Sequence, residues 1–259
     1  MTQLIEYIMV FMDNETTPKK KKKRRKKHYF LRLLIIIALI VGAVLLLRSE
    51  LFNVRHFVVE GNNYYTAAQI QDMSGLKTGI NTFKQKIYPA KDILIEDPYI
   101  KNVQIKRQLP GTVKIILEER TEYACIPYGS QYVLIDEEGM VLRLADEMPV
   151  LPLLDGMTIN EMTPGKALDV EQSYLLTNTL QLLSVMAEND IYFKKINFSA
   201  VIVKAYIYDE MYCEGKPEDI TAQMGAIKRL VEEQYKQGIT RGIIKVGKDN
   251  YIAFSPKLD

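Results

Sequence analysis

The chain has 259 residues, 47% apolar and 25% charged, which is the composition of an ordinary globular protein with room for one or two domains. Its formal net charge of +2 is unevenly distributed, because residues 19–27, KKKKKRRKK, are nine consecutive positive charges. From Ser49 onward, 23 Lys and Arg stand against 29 Asp and Glu, so most of the protein carries a net charge of about −6. An acidic body argues against nucleic acid as a partner.

Residues 29–47, YFLRLLIIIALIVGAVLLL, follow the basic run directly. As a helix they would be about 28 Å long, close to the hydrocarbon thickness of a bilayer. Arg32 lies near one end, where its side chain can reach the headgroups. Because Lys and Arg are retained on the cytoplasmic side, the pattern predicts a cytoplasmic tail over 1–28, a transmembrane helix over 29–48 and an extracytoplasmic remainder. The basic tail makes anionic lipid headgroups an expected partner.

A cleaved signal peptide is the alternative interpretation of this apolar segment. Its apolar region would be only about 7 to 15 residues long and would end at a small-residue cleavage site. Here an uncharged stretch runs from Leu33 to Leu47 and is followed by Arg-Ser-Glu. We therefore expect the segment to be retained.

The residues after the apolar segment show the pattern of a small module. Phe57-Val58-Val59 is a short apolar run that stops at Gly61, as a strand entering a turn does. Thr66 and Gln69 predict a capping box for a first helix, which should end at Gly75. A second helix is predicted over about 83–96, with a buried face formed by Phe83, Ile87, Ala90, Ile93 and Leu94.

The stretch 98–120 alternates apolar and polar residues on both sides of Leu-Pro-Gly. Leu109-Pro110-Gly111-Thr112 suits a type II turn. The twist of a type II turn does not match the twist of the two strands in a hairpin with a two-residue loop. We therefore expect a slightly longer loop, or strands that diverge, at the tip. Two half-buried strands are predicted from the apolar positions Val103, Ile105, Val113, Ile115 and Leu117.

Beyond residue 120 the pattern predicts many short strands and two helices. The first helix should be capped by Asp169, with Gln172 completing a capping box, and the second should end at Gly238. Leu151–Leu154 is expected to lead into a loop. The fold class is therefore predicted to be α+β, with a small domain over 52–120 and a larger, mostly antiparallel β domain with two helices over 121–259. The expected strands are about 122–127, 131–135, 140–144, 193–198, 201–207, 210–213, 242–246 and 250–254, and the expected helices about 169–187 and 219–237.

Cys125 and Cys213 both follow the apolar segment, and a disulfide is chemically permitted outside the cytoplasm. Two cysteines so far apart do not make a disulfide framework. One pair and two buried thiols both fit the sequence, and we favour the thiols.

The sequence contains no evident catalytic set. His56 is the single histidine after the apolar segment, so neither Ser-His-Asp or Cys-His chemistry nor a His-rich zinc site can be assembled. Ser74-Gly75-Leu76-Lys77 and Lys77-Thr78-Gly79 match two motifs of penicillin-binding enzymes, but they share one lysine and the first lies at a predicted helix end. Adjacent carboxylates such as Glu118 and Glu119 are expected to be solvated. We predict no catalytic, cofactor-binding or metal-binding residues and no small-molecule substrate.

An ectodomain with strands but no catalytic set suggests a scaffold that binds other membrane proteins. The last predicted strand, Asn250-Tyr251-Ile252-Ala253-Phe254, would pair with a partner's strand if its outer backbone groups are free. An edge covered by another part of the chain is the alternative, and the sequence leaves both open.

Three segments follow the basic tail and the apolar span in a fixed order. They read FNVRHFVVEGNNYYTAAQIQDMSGLKTGIN, DPYIKNVQIKRQLPGTVKIILEER and YVLIDEEGMVL. In this order the chain resembles the FtsQ/DivIB family of bacterial cell-division proteins. The first two segments resemble the POTRA domain of that family, and the rest resembles its β domain, with little specific similarity after about residue 160.

The resemblance implies a non-enzymatic scaffold of the divisome, concentrated at the division septum. It implies binding to the small bitopic coiled-coil proteins FtsB/DivIC and FtsL, and through them an influence on septal peptidoglycan synthesis. By location rather than by a shared motif, it places the partner site on the last strands of the β domain, which here are Ile243, Ile244, Tyr251, Ile252 and Phe254.

Two other classes of function are weighed against the scaffold. An extracytoplasmic sensor would need a cytoplasmic output domain, and roughly 28 largely basic residues are too few to fold into one. A cell-wall-processing enzyme is disfavoured by the missing histidines.

Overall fold

The computed structural model describes residues 28–257, which fall into two units divided after Ser49. The cytoplasmic tail predicted over 1–28 lies outside the described residues, apart from His28. The first unit contains α1 (Tyr29–Leu47), a helix of 19 residues whose side chains are all exposed. Within residues 28–257 it is the one helix long and apolar enough to cross a membrane.

The second unit begins with a small layered module. Its elements in chain order are a 3-10 turn (Glu50–Phe52), β1 (His56–Glu60), α2 (Ala67–Ser74), α3 (Ile87–Ile95), β2 (Ile100–Gln108) and β3 (Thr112–Glu119). β1 is parallel to β3 and β2 is antiparallel to it, giving the sheet order β1-β3-β2. The predicted strand, two helices and hairpin are thus confirmed. The core is formed by Val54, Ile70, Leu76, Ala90, Leu94, Ile100, Val103, Val113, Ile115 and Leu117.

The first helix of the module is bounded as its sequence predicts. The backbone N–H of Gln69 donates to the Thr66 hydroxyl at 3.3 Å, and the Thr66 N–H donates to the Gln69 side chain at 2.9 Å. These two bonds form the predicted capping box. Gly75 closes the helix with a φ of 66°, a left-handed conformation that a residue without a Cβ adopts easily.

The second helix begins at Ile87, about four residues later than predicted. Pro89 explains the difference, because it has no N–H and would interrupt a helix begun near residue 83, whereas the first turn tolerates it. Phe83 and Ile93 were predicted to be buried and are instead exposed. Ile87, Ala90 and Leu94 form the buried face.

A three-residue loop, Leu109–Gly111, joins β2 to β3. The loop is longer than two residues, as expected. The predicted type II turn is not formed, because Gly111 does not have the positive φ that this turn requires at its third position. The Leu109–Pro110 peptide bond is cis. Gly111 lies against the chain entering β1: its carbonyl accepts from the Arg55 N–H at 2.8 Å. A Cβ on Gly111 would lie 2.7 Å from the Asn53 carbonyl oxygen, so the close approach requires glycine.

The rest of the second unit is built on a larger sheet. Its helices are α4 (Ser173–Ser184), α5 (Met186–Asn189), α6 (Pro217–Ala222) and α7 (Met224–Lys236). Its strands are β4 (Ala124–Tyr128), β5 (Gln131–Ile135), β6 (Val141–Ala145), β7 (Leu153–Asp155), β8 (Ile159–Glu161), β9 (Asp169–Val170), β10 (Lys195–Phe198), β11 (Val203–Tyr206), β12 (Glu210–Gly215), β13 (Arg241–Val246) and β14 (Ile252–Pro256).

Nine of these strands form one sheet in the order β14-β13-β12-β11-β10-β7-β4-β5-β6. Five neighbouring pairs are antiparallel and three are parallel, which confirms the predicted α+β class with a mostly antiparallel larger sheet. The helices contribute to a core on one face of this sheet. The predicted buried face of α4 and its continuation into α5 is confirmed at Leu175, Leu176, Thr179, Leu183 and Met186.

Three local predictions for this part were wrong. Leu151–Leu154 was expected to lead into a loop and no strand was predicted there, but Leu153–Asp155 forms β7, which lies between β4 and β10 and is parallel to both. Asp169 pairs with Glu161 in a short ladder instead of capping α4, which begins at Ser173. The single helix expected over 219–237 is divided at Gln223, whose side chain donates to the Gly247 carbonyl at 2.7 Å.

The two sheets meet at a buried ion pair. Arg120, directly after β3, pairs with Asp136 in the turn between β5 and β6 and with Glu138 at 2.7 Å. The other carboxylate oxygen of Asp136 accepts the backbone N–H groups of Glu138 and Met140 at 2.9 and 2.8 Å. Lys101 of β2 also reaches Glu138, at 2.9 Å. Arg120 and Lys101 lower the pKa of the Glu138 carboxyl.

Aromatic residues extend this junction. The rings of Tyr64 and Tyr99 are stacked with their centres 3.9 Å apart. The Tyr99 hydroxyl donates to Glu122 at 2.6 Å, and the Arg143 Nε donates to the same carboxylate at 2.8 Å. Burial and the hydrogen bond to Glu122 raise the pKa of Tyr99. The small module and the larger sheet are therefore joined by paired charges and by the Tyr99 hydroxyl, whose ring stacks on Tyr64 within the small module.

Cys125 and Cys213 are free, buried thiols. Cys125 lies on β4 and Cys213 on β12, with β7, β10 and β11 between them in the sheet. Four strand spacings amount to roughly 19 Å, whereas disulfide-bonded residues have Cα atoms less than about 7 Å apart. The favoured interpretation of two thiols is confirmed. Burial raises the pKa of Cys125 to about 11 and that of Cys213 to about 12.

We expect neither thiol of the folded protein to react with Ellman's reagent at pH 8, because burial keeps both protonated and away from solvent. Denaturation in guanidinium chloride should expose two equivalents. Unfolded thiols ionise near pH 8.5, below the folded values, so unfolding releases protons and the free energy of unfolding should fall as pH rises from about 8.5 towards 11. Ser130→Cys, in the exposed turn after β4, should add one equivalent that reacts before denaturation. Reaction of two thiols with Ellman's reagent before denaturation of the unmodified protein would contradict the burial of Cys125 and Cys213.

Replacing Arg120 by Met should lower the free energy of unfolding of the full chain by about 1–3 kcal/mol at pH 7, because a buried Asp136 oxygen loses its charged partner. Thermal unfolding in detergent followed by circular dichroism measures the change. Lys101→Met is the matched control: its partners are exposed, so it should cost less than about 1 kcal/mol. Equal effects of the two substitutions would mean that the Arg120 pair does not stabilise the junction.

Candidate partner-binding surface

The residues predicted to bind a partner lie on the last two described strands and the turn between them. Ile243 and Ile244 belong to β13, Ile252 and Phe254 to β14, and Tyr251 immediately precedes β14. β14 is at one edge of the nine-stranded sheet, with β13 as its neighbour. The predicted strand is thus an edge strand, and its binding to a partner stays a prediction.

A tight turn fixes the register of these strands. Asp249 and Asn250 have φ values of 55° and 59°, and the Tyr251 N–H donates to the Lys248 carbonyl at 3.1 Å. Positive φ at both central residues is the geometry of a type I′ turn, which matches the twist of a hairpin and suits Asn and Asp. Because Asn250 belongs to this turn, β14 begins at Ile252, two residues later than predicted.

The backbone of β14 presents unpaired groups on its outer side. The Gly247 N–H donates to the Tyr251 carbonyl at 3.0 Å, and the Lys257 N–H donates to the Arg241 carbonyl at 3.5 Å. Backbone groups alternate in direction along an antiparallel strand, so the odd-numbered residues face β13. The N–H and C=O groups of Ile252 and Phe254 therefore point away from the sheet. Pro256, next in this series, has no N–H and limits the open edge.

The opposite edge of the sheet is partly covered. There the Val141 N–H donates to the Lys166 carbonyl at 2.9 Å, and the Gly165 N–H donates to the Val141 carbonyl at 2.8 Å. Met140 forms a further bridge with Ala167. Within residues 28–257, no strand other than β13 pairs with β14. Of the two edges, β14 is the less covered.

The five predicted side chains differ in accessibility. Tyr251 is 57% exposed, whereas Ile252 and Phe254 are half-buried against the core. A Cβ on Gly242 would lie 2.6 Å from the Phe254 ring, so glycine makes room for that ring. Ile244 is fully buried in the core, because its side chain faces the helices while that of Ile243 faces the other way. Its part in partner binding stays a prediction, for a residue whose side chain is not accessible.

The outer face of the sheet beside β14 contains residues that the sequence reasoning missed. Tyr206 and Tyr212 pack with their ring centres 4.9 Å apart, and Tyr212 is the direct neighbour of Ile243. Glu210 on this face pairs with Arg241 at 2.8 Å. The alternation of these tyrosines with the buried Ala205, Met211 and Cys213 is the signal that would have identified them.

In the described residues, the literal enzyme motif and the charged cleft residues are engaged in structural contacts. Within residues 28–257, no group of three or more His, Cys, Asp or Glu side chains is placed to hold a metal ion. Ser74 of the literal enzyme motif is buried and donates to the Gln71 carbonyl at 2.6 Å. A cleft of about 420 Å³ lies beside α4, and one of about 560 Å³ lies at the junction. The charged side chains lining the junction cleft, Glu119, Arg120, Glu122 and Arg143, all have hydrogen-bond partners.

Comparison with known proteins agrees with this architecture. A domain model described as "POTRA domain, FtsQ-type" matches residues 52–120. The cell division protein DivIB of Clostridium acetobutylicum is 30% identical over 194 residues, covering 73% of this chain and 78% of the relative. DivIB of Clostridium botulinum strain Hall is 24% identical, covering 81% and 84%. The cell division protein FtsQ of Geobacter sp. strain M21 is 24% identical, covering 72% and 71%.

Among solved structures, the major extracytoplasmic domain of DivIB from Geobacillus stearothermophilus matches 46% of this chain and 97% of its own length at 11% identity, with a TM-score of 0.30. That similarity is too slight to carry an argument. The match to DivIB of Clostridium acetobutylicum spans most of both chains, and the FtsQ-type domain lies at the position of the small module. The chain therefore belongs to the DivIB/FtsQ family of bacterial cell-division proteins.

Proposed function

We propose that this protein is a non-enzymatic scaffold of the divisome that captures a strand of a partner protein on the outer edge of β14. One observation carries the proposal: Ile252 and Phe254 direct their backbone groups away from the sheet, next to the exposed Tyr251. Membership in a family of cell-division proteins supports the cellular role. The small module over 52–120 and the β domain over 121–259 act as separate docking parts in this proposal.

Strand addition at β14 needs side-chain contacts as well as backbone pairing. Ile252 and Phe254 offer up to four backbone hydrogen bonds, each contributing a net stabilisation of about 0.5–1.5 kcal/mol. Micromolar binding requires about 8 kcal/mol, and association also loses the freedom of both partners. We infer that Tyr251, with Ile243 and Tyr212 on the adjoining face, provides contact area that the backbone alone does not.

The partners we propose are the small bitopic coiled-coil division proteins of the FtsB/DivIC and FtsL types. Their extracytoplasmic segments would reach the β domain if the basic run over 19–27 keeps the N-terminus in the cytoplasm. Through them the scaffold would influence septal peptidoglycan synthesis. The basic tail would itself lie against anionic headgroups of the cytoplasmic leaflet.

Tyr251→Lys should weaken binding of a DivIC-type extracytoplasmic segment by at least about tenfold, because an aromatic contact at the edge is replaced by a solvated charge. Biolayer interferometry with the full chain in nanodiscs measures the affinity. Tyr174→Lys, a similarly exposed tyrosine on α4, is the matched control and should bind as the unmodified chain does. Unchanged affinity of the Tyr251 variant would remove the edge-strand proposal.

Ile252→Pro separates backbone pairing from side-chain contact in the same assay. The backbone N–H of Ile252 points away from β13. Proline at this position therefore removes a donor from the open edge and keeps the hydrogen bonds between β14 and β13. We expect loss of partner binding with an unchanged circular dichroism spectrum. Binding that survives in this variant would show that the partner does not add a strand at β14.

A fluorescent protein fused to the N-terminus of the full chain should concentrate at the septum of dividing cells, because a divisome scaffold is retained by its partners. A matched fusion that carries residues 1–48 alone keeps the predicted membrane anchor and should label the whole membrane evenly. Even labelling by both fusions would contradict a septal role.

A further inference from the structure

Three segments converge where the chain enters the small module. The Val54 N–H donates to the Ile80 carbonyl at 2.9 Å, and the Thr82 N–H donates to the Phe52 carbonyl at 2.8 Å. The rings of Phe52 and Phe83 lie 5.6 Å apart. The tip of the β2–β3 hairpin joins them through the bond between Arg55 and Gly111. The residues just after position 50, the segment 79–83 and the hairpin tip therefore form one end of the module.

Apolar side chains at this end are exposed to solvent. The exposed fractions are 48% for Leu51, 39% for Ile80, 44% for Phe83 and 56% for Leu109. Single exposed apolar residues are ordinary, but a group of them on converging segments marks an interaction surface. Leu51, Ile80, Phe83 and Leu109, together with the basic residues Lys84 and Arg107, are called the entry surface below.

The charge of the entry surface is opposite to that of the extracytoplasmic part as a whole. Between Asp72 and Asp92 the chain has four lysines and no acidic residue. Arg107 of β2 joins them, because its Nε donates to the Thr82 carbonyl at 3.0 Å. Residues from Ser49 onward carry a net charge of about −6. A basic apolar end on an acidic body is complementary to an anionic surface with an apolar interior.

The length of the chain limits how far this end is from the membrane. Leu51 follows Leu47, the last residue of α1, by four residues, which can span at most about 14 Å. The headgroup region occupies roughly 5–8 Å on each side of the hydrocarbon core. With α1 across the bilayer, Leu51 lies within about 10 Å of the headgroups. Phe52, Ile80 and Phe83 are held beside it by the contacts described above.

We propose that the entry surface rests on the anionic lipid headgroups of the outer leaflet. Leu51, Ile80, Phe83 and Leu109 lie between the headgroups, and Lys84 and Arg107 face their phosphates. The occupant is the lipid bilayer itself. This docking would restrict the orientation of the extracytoplasmic part on the membrane, and it depends on α1 crossing the bilayer and not on partner capture at β14.

The chain contains no tryptophan, so Phe83→Trp introduces a single tryptophan at the entry surface. The full-length variant is reconstituted into vesicles of phosphatidylcholine and phosphatidylglycerol, with and without bromine on the acyl chains. Bromine on the upper carbons of the acyl chains quenches tryptophan at the boundary between headgroups and hydrocarbon, so we expect at least about a twofold loss of emission. Tyr235→Trp, at an exposed position of α7, is the matched control and should keep its emission.

Three outcomes would overturn the proposal: equal emission of the Phe83→Trp variant in both kinds of vesicle, equal quenching of the two variants, or emission that changes only with the ratio of protein to lipid. The last result would indicate contact between copies of this chain. Leu109→Trp, on the hairpin tip, repeats the test if the Phe83 substitution disturbs the Phe52 contact. Adding Lys84→Glu to Phe83→Trp should reduce quenching in the anionic vesicles, whereas Lys236→Glu on α7 should leave it unchanged.

Discussion

The ion pair between Arg120 and Asp136 is the interaction on which the arrangement of the second unit depends. Both side chains are largely removed from water, 13% and 3% exposed, so their desolvation must be offset by good partners. Asp136 receives two backbone N–H groups in addition to the guanidinium, and Arg120 also contacts Glu138. Since Arg120 follows the last strand of the small sheet and Asp136 begins a turn of the large one, this pair links the two sheets directly. The entry surface and the β14 edge therefore belong to one connected structure, at whose two sites we propose membrane docking and partner capture.

Local features of the fold were predictable where their physical cause is local. The capping box of Thr66 and Gln69, the glycine that closes α2 and the alternating strands of the hairpin each depend on residues a few positions apart. The later start of α3 was also predictable from Pro89. Proline has no backbone N–H, and a helix beginning near residue 83 would need that donor. β7 was not predictable in this way. Its three residues are too few to show a period, and they form a strand because β4 and β10, distant in sequence, lie on either side.

The sequence predicted which strand forms the candidate site, but not which backbone groups of that strand point outward. The alternation of side chains could have separated Ile243 from Ile244, and it could have placed Tyr206 and Tyr212 on the open face. Which backbone groups of β14 point outward depends on the register with β13. That register is set by the turn at Asp249 and Asn250, whose left-handed conformation the sequence permits but does not require. The open groups of Ile252 and Phe254 were therefore visible only in the structure.

An open edge strand is a hazard, because any exposed strand of another chain can pair with it. Here the open stretch is short: the turn at Asp249 and Asn250 bounds it on one side, and Pro256 removes a donor on the other. The two residues left between these limits offer too few hydrogen bonds to hold an arbitrary strand. A partner that binds must also fit Tyr251 and the tyrosines of the adjoining face. The shortness of the edge thus limits indiscriminate pairing and would make the proposed capture of a strand selective.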